Sequence, residues 1–483
     1  MISACAFLVA ATACGDLESA PPSNEPDDAR VALGGAAPAQ AQALAVPTIA
    51  QALNCGAPST AGLLTRAMEL QRVDLDPALF PLARCNDGTP ATFYFRPGST
   101  AAGRERWVIQ LQGGGGCRSG DSCAARWCST DSNFGTTHMS SAQAPTDGIR
   151  ADGILDNSAG LANPMATWNH VFIRYCTSDT WSGATGPMTV ASHHPITGAA
   201  VSFQIEFNGR AVLDAVVKML RRDGTAALNY RFVGGGTLPD LDTAKTVILA
   251  GASAGGGGVA NSADYLGDLL RSKNPCQGAG CLEYRAIIDS TFGPDGLTLD
   301  WSTSDACLQH GLCTWKDLVT DGTAMFDRHG DQSCETWHAA NDPQNLWQCD
   351  ETDHVIRHHI TTPMLLRMGL VDQLISGNSI DSGVSVPGRG PMTLALFTEL
   401  VRAQLALHGS LTVAEERSAM TLPALYGPNC PKHETISANS SVYGVTIGVG
   451  GVRKTMFDIF TAWRAAGAPT QVVQAPGDLI DCN

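Results

Sequence analysis

The run Thr246-Val-Ile-Leu-Ala250 leads directly into Gly251-Ala252-Ser253-Ala254-Gly255, and a helix is predicted from near Gly255 to Leu270. A short apolar run of this kind predicts a buried β-strand, so the serine falls on the turn between a strand and a helix. This is the G-x-S-x-G nucleophile elbow in the context it requires. Small residues at 251 and 255 allow a sharp reversal that lifts the Ser253 side chain above a sheet. The helix N-terminus behind it offers free N–H groups and a dipole favourable to a developing oxyanion.

Further β-type runs lie at Trp107 to Leu111, His170 to Tyr175, Tyr284 to Ile288 and Pro363 to Met368. Val212, Val216, Val217 and Leu220 recur at helical spacing and predict a helix over Asn208 to Arg222; another is predicted over Met392 to His408. Near-continuous apolar strands alternating with helices indicate an α/β fold, with a mostly parallel sheet covered on both faces.

The composition agrees with a large globular domain. The chain has 483 residues, 51 of them Gly, 26 Pro and 16 Cys, and 44% are apolar. With 31 basic against 46 acidic side chains the net charge is −15, which argues against a nucleic-acid partner. No apolar run reaches the roughly 18 residues of a membrane-spanning helix. Residues Met1 to Ala13 (MISACAFLVAATA), followed by Cys14-Gly15-Asp16, resemble an export signal ending in a bacterial lipobox, which would lipidate Cys14. Arg30 is the first basic residue, and Ala11 stands where a lipobox has Leu. Residues 15–46, rich in Pro, Ala, Ser, Asp and Glu, read as a disordered linker, and 47–483 as one elaborated catalytic domain.

Sixteen cysteines indicate an oxidising compartment. With Cys5 removed and Cys14 lipidated, 14 remain, enough for seven disulfides; Cys276–Cys281, Cys307–Cys313 and Cys334–Cys349 are expected local pairs. Asn439-Ser440-Ser441 is a glycosylation sequon only in a host that glycosylates.

The strand ending at Leu111 runs into Gln112-Gly113-Gly114-Gly115-Gly116-Cys117. A Gly-rich turn after an early strand is where α/β-hydrolases place a backbone donor for the tetrahedral intermediate. No Lys-Ser/Thr follows, so a phosphate-cradling loop is disfavoured. The order Ser, Asp, His then points to Asp372, just past the 363–368 strand, and to His433, after the run Leu422 to Tyr426. Asp381 competes with Asp372, and His408, within a predicted helix, is expected at the surface. His354, His358 and His359 have a spacing that suits a metal, but they lack an HExxH glutamate and a third ligand is not evident, so no metal is expected.

Together these segments resemble the pectin acetylesterase/Notum family. Leu111 to Cys123 (LQGGGGCRSGDSC) is similar to that family's LEGGGWC…C motif. Asn163 to Cys176 (NPMATWNHVFIRYC) is similar to N-P-x-F-x-x-W-N-x-V-x-x-R-Y-C, and Gly251 to Gly256 matches G-x-S-A-G-G. Ile288 to Phe292 (IDSTF) resembles D-[SA]-G-x-F with Thr291 in place of Gly. The resemblance spans roughly residues 80 to 440. It implies an α/β-hydrolase-like carboxylic ester hydrolase with Ser253 as nucleophile, Asp372 as acid and His433 as base. It also implies an oxyanion hole from the N–H groups of Gly115, Gly116 and Ala254, and no cofactor. The expected substrate is an acetylated polysaccharide such as pectin or xylan. A lipid or longer-chain fatty acyl ester is the alternative, and a non-catalytic binding protein on the same fold is a further one. Gly116 stands where the family has Trp, which leaves the acyl preference open. Residues from Cys117 to Asn163 and from Cys307 to Cys349 are expected to form cap elements.

Overall fold

The computed structural model describes residues 46–55, 69–129, 135–158, 160–221, 239–273, 281–410, 421–438, 440–449, 451–466 and 470–482. Residues 1–45, where the sequence suggests an export signal with Cys14 and a linker, lie outside them, as do Cys276 and Asn439.

A nine-stranded sheet organises the described residues. Its strands are β1 (Gln71–Asp74), β2 (Thr92–Arg96), β3 (Arg106–Leu111), β4 (Asn169–Ile173), β5 (Thr246–Ala252), β6 (Glu283–Asp289), β7 (Met364–Arg367), β8 (Ala424–Gly427) and β9 (Gln471–Val473). They lie in the order β1-β2-β4-β3-β5-β6-β7-β8-β9. From β4 through β9 every neighbouring pair is parallel, whereas β2 pairs antiparallel with both β1 and β4. The five strands expected from apolar runs are β3 to β7, each within two residues of its expected ends, and Leu422 to Tyr426 ends in β8. The strands within residues 71–96 and at 471–473 are not legible in the sequence, because runs of three to five residues carry too little pattern to separate from loops.

Successive residues along a strand face opposite sides of the sheet, and two cores result. Ile109, Leu249, Ile288 and Leu366 pack with helices α1 (Gly209–Arg221), α2 (Ala254–Lys273) and α8 (Leu394–His408). Val108, Ile248, Ile287 and Leu365 pack on the other side with α9 (Met456–Ala466) and the 3₁₀ turn at Gly153–Leu155. Burial on both faces explains why these strands read as continuous apolar runs rather than alternating ones. In α1, Val212, Val216, Val217 and Leu220 form the buried stripe their spacing predicted.

Between β6 and β8 the chain adds α3 (Asp305–His310), α4 (Trp315–Thr323), α5 (Gln332–Asn341), α6 (Thr352–His358) and α7 (Gln373–Asp381). Residues of α3, α4 and α6 wall the cavity above the sheet, so the 307–349 stretch is a cap as expected. The 117–163 stretch behaves differently. Among its described residues, only Cys117 and Arg118 line that cavity. Ala124, Trp127 and Met139 instead pack against the 187–206 hairpin, and Ile154 and Leu155 join the opposite core. Apolar side chains distributed through this segment draw it onto existing surfaces rather than over the site.

All thirteen described cysteines are disulfide-bonded. Cys307–Cys313 and Cys334–Cys349 are the expected local pairs; Cys85–Cys176, Cys55–Cys128, Cys117–Cys123 and Cys430–Cys482 join them. Cys281 is bonded, while its expected partner Cys276 lies outside the described residues. No helix among the described residues is long and apolar enough to cross a membrane.

Candidate active site

Ser253 occupies the turn between β5 and α2 with φ 54°, a left-handed conformation that is strained for serine. Its N–H donates to the Asp289 carbonyl at 2.9 Å, which fixes the turn against β6. The two flanking glycines are sterically required. A Cβ at Gly251 would lie 2.2 Å from the Gly255 carbonyl oxygen, and one at Gly255 would lie 2.2 Å from that of Leu111. The reversal is therefore tight enough to press the start of α2 onto β3.

The loop after β3 is held from several sides. Gly114 and Gly115 have φ 138° and 66°. The Gly114 carbonyl accepts from the buried Arg126 guanidinium at 2.6 Å, and the Gln112 carbonyl from the Trp181 indole at 3.0 Å. Cys117 N–H donates to Ser178 O at 3.1 Å. Gly116 fits this arrangement closely: a Cβ there would lie 2.9 Å from Ser178 O, so a larger residue requires the 175–180 segment to shift.

Asp372 and His433 meet although 61 residues separate them. His433 Nδ1 lies 2.8 Å from Asp372 Oδ2, while Asp372 Oδ1 accepts the N–H groups of Leu374 and Ile375 and caps α7. Asp372 is fully buried. Asp381, the competing acid, is exposed at the far end of α7. His433 Nε2 is buried and has no hydrogen-bond partner among the described residues. Burial pulls the His433 pKa down, but the Asp372 hydrogen bond and charge, then Glu434 and Asp289, more than offset it and leave it raised. Ser253, His433, Gly115, Gly116 and Ala254 all line one open cavity of about 720 Å³.

Two neighbouring carboxyl groups escaped the sequence reading of this site. In the sequence Asp289 stands out only as part of the IDSTF motif. Its side chain accepts from Ile436 N–H at 2.9 Å and Thr435 Oγ1 at 3.2 Å, and pairs with Arg367 at 3.1 Å. One residue thus holds the Ser253 turn through its carbonyl and the His433 loop through its carboxylate. Glu434 is in the left-handed region with φ 55°, and its buried Oε1 faces Gly113 without a hydrogen-bond partner among the described residues. Burial, the largest influence, and the charges of Asp289 and Asp372 outweigh the pull of His433 and raise its pKa to about 7. Left-handed backbone at a glutamate has no sequence signature, so only the fold reveals this position.

Two histidine readings change. His408 is not at the surface: it is buried on α8, its Nε2 is 2.7 Å from Asp353 and its ring packs on Phe292. Helical periodicity places its face towards the sheet, and Asp353 satisfies the imidazole. The 354–359 histidines do acquire a third neighbour, because α5 brings His338 Nε2 to 3.0 Å from His354 Nε2.

The pectinacetylesterase family model matches residues 71–279. Human palmitoleoyl-protein carboxylesterase NOTUM is 30% identical over 261 residues, covering 51% of this chain and 43% of that protein. The Xenopus laevis relative notum1' is 29% identical, covering 54% and 48%. Arabidopsis thaliana pectin acetylesterase 4 is 28% identical, covering 39% of this chain and 37% of its own length. The chain spans about half the length of the NOTUM relatives it matches. The crystal structure of the Drosophila Wnt deacylase Notum superposes with a TM-score of 0.58 at 21% identity, over 86% of this chain and 99% of that one. That likeness shows the shared α/β-hydrolase fold. The family match takes in the elbow, the Gly-rich loop and the strands between them, and over residues 71–279 the chain is similar to the pectin acetylesterase/Notum family.

Proposed function

We propose that this chain is an exported serine carboxylic ester hydrolase, with residues 47–483 as its catalytic domain. The observation that carries this reading is the His433–Asp372 pair at 2.8 Å, on the same cavity as a serine held at φ 54°. Ser253 attacks the ester carbonyl as His433 Nε2 takes its proton, and Asp372 orients the ring and stabilises its charged form. The N–H groups of Gly115, Gly116 and Ala254 receive the oxyanion, each worth on the order of 3 kcal/mol in comparable sites. His433 then protonates the leaving alcohol, and water cleaves the acyl-enzyme through the same base. The fully disulfide-bonded set of described cysteines supports export. A lipid anchor at Cys14 is part of the same proposal.

The cavity favours an acyl group longer than acetyl. About 720 Å³ lies within the range of sites for drug-sized ligands, roughly 300–1,000 Å³, and far exceeds a two-carbon chain. Its cap side presents the apolar side chains of Leu299, Trp301, Trp315, Leu318, Val319 and Ile375 beside the charged Arg328, Asp350 and Glu351. The second reading, deacetylation of a polysaccharide, draws support from the stacked Trp301–Trp315 pair (centroids 5.1 Å apart), a flat surface on which a sugar ring can lie. Ester hydrolysis should proceed with the wild type and vanish in Ser253→Ala with the melting temperature unchanged. Comparable turnover by both would overturn the assignment. Fluorogenic esters from acetate to palmitate, beside acetate release from pectin and xylan, decide between the two substrates.

A further inference from the structure

We propose that His338, His354 and His359 bind a divalent transition-metal ion, zinc foremost, at a site distinct from the Ser253 cavity. The three residues come from separate places in the cap: His338 from α5, His354 from the first turn of α6, and His359 from the residue that ends α6. One ring nitrogen from each, together with Cys334 Sγ, lies within 4.8 Å of all the others. His338 and His359 are 1% and 0% exposed, and His354 is half-buried.

The geometry fits an ion held by nitrogen. Zinc binds imidazole at about 2.0–2.1 Å, which in a tetrahedron separates ligand nitrogens by about 3.3 Å. His338 and His354 already face each other Nε2 to Nε2 at 3.0 Å, so small ring rotations open the required space. Without an ion that contact works only if one ring donates and the other accepts. His338 Nδ1 is then buried with no hydrogen-bond partner among the described residues. A shared cation engages a lone pair of each ring at once and removes the need for two buried imidazoles to face each other as donor and acceptor.

The donor set also selects the ion. It contains no carboxylate, so it suits zinc, copper or nickel rather than the oxygen-seeking calcium or magnesium. Cys334 is held in a disulfide with Cys349 and supplies no thiolate. That leaves three imidazoles and one open position. The disulfide fixes α5 one turn before His338, so one ligand sits on a braced helix.

The ion would clasp α5 to both ends of α6. Thr352 and Asp353, at the start of α6, line the Ser253 cavity, and Asp353 also holds His408 of α8. The site would therefore stiffen the wall of the cap without touching the ester.

The test uses untagged full-length protein purified without a nickel column, dialysed, and assayed for metal by mass spectrometry. About one zinc per chain is expected. Added zinc should raise the melting temperature where magnesium does not, and cobalt should give the intense visible absorption of a tetrahedral site. His338→Gln and His354→Gln should weaken zinc binding at least about tenfold, whereas His310→Ala, exposed on α3, should leave it unchanged. Zinc bound equally well by the two folded glutamine variants would overturn the proposal. So would a wild type that retains no zinc, shows no thermal shift and gives no cobalt spectrum. The wild-type measurements decide the question if the variants do not fold.

Discussion

Asp372 divides its carboxylate between two tasks: Oδ2 lies 2.8 Å from His433 Nδ1, while Oδ1 caps α7 through the N–H groups of Leu374 and Ile375. The same residue orients the imidazole and is itself immobilised by the helix it begins.

Under the proposed mechanism this division separates catalysis from stability. Asparagine caps helices as well as aspartate does, so Asp372→Asn should keep the cap and lose less stability than Asp372→Ala. The amide cannot stabilise a charged imidazole, and ester hydrolysis should fall by about 10³–10⁴-fold. Denaturant titration and kcat/KM on one activated ester check both halves. Asp372→Ala should lose activity and also about 1 kcal/mol of cap energy.

Glu434 should impose a pH dependence on folding. Its pKa rises from 4.5 to about 7 on folding, so the native state binds the proton more tightly than the unfolded chain. Stability from this group is present below pH 4.5 and is lost as pH rises through about 7. In Glu434→Gln that decline should disappear from melting curves recorded between those values. The Glu434 charge also helps raise the His433 pKa, so the acid limb of the kcat/KM profile should move to lower pH in the variant.

The apolar side chains on the cap side of the cavity make a prediction about chain length. Leu318 of α4 lines the cavity, and Leu318→Trp should fill part of it. Octanoate turnover should drop at least about tenfold, since even one methylene is worth 10- to 200-fold in an enzyme pocket, and acetate turnover should stay within about twofold. Equal effects on both esters would point to a folding defect, and no effect on either would favour the polysaccharide reading.

Arg367 and Asp289 form a buried ion pair, 2% and 0% exposed, and Asp289 bridges the Ser253 turn and the His433 loop. Removing one partner leaves a buried charge uncompensated. Arg367→Met should therefore destabilise the fold by roughly 3–5 kcal/mol in urea titrations. At temperatures where the variant remains folded, kcat should fall with little change in KM, because the loop carrying His433 loses a support.

Much of this was legible in the residues. Thr246 to Gly255 carries its own context of strand, turn and helix, and Asp372 follows a strand whose end is marked by Gly369. Other parts depend on contacts no local pattern encodes. The approach of α5 to α6 joins His338 to His354 across 16 residues, and the spacing of either helix alone does not announce it. His408 looked like a surface residue because its partner, Asp353, is 55 positions away. Gln471–Val473 is too short to read as a strand and forms only because β8 offers an open parallel edge.

The Cys430–Cys482 bond has a consequence for the order in which the site is braced. It joins the loop carrying His433 to a cysteine 52 residues later, beyond β9 and α9. The Ser253 elbow can fold from residues synthesised long before. The loop that carries the base is already held by Asp372 and Asp289, and it gains this covalent tie once the chain through residue 482 has been made and has met an oxidant. In an oxidising compartment the tie fastens the loop that carries His433 to the end of the chain beyond β9, so the base and the sheet edge are braced by one late-made bond.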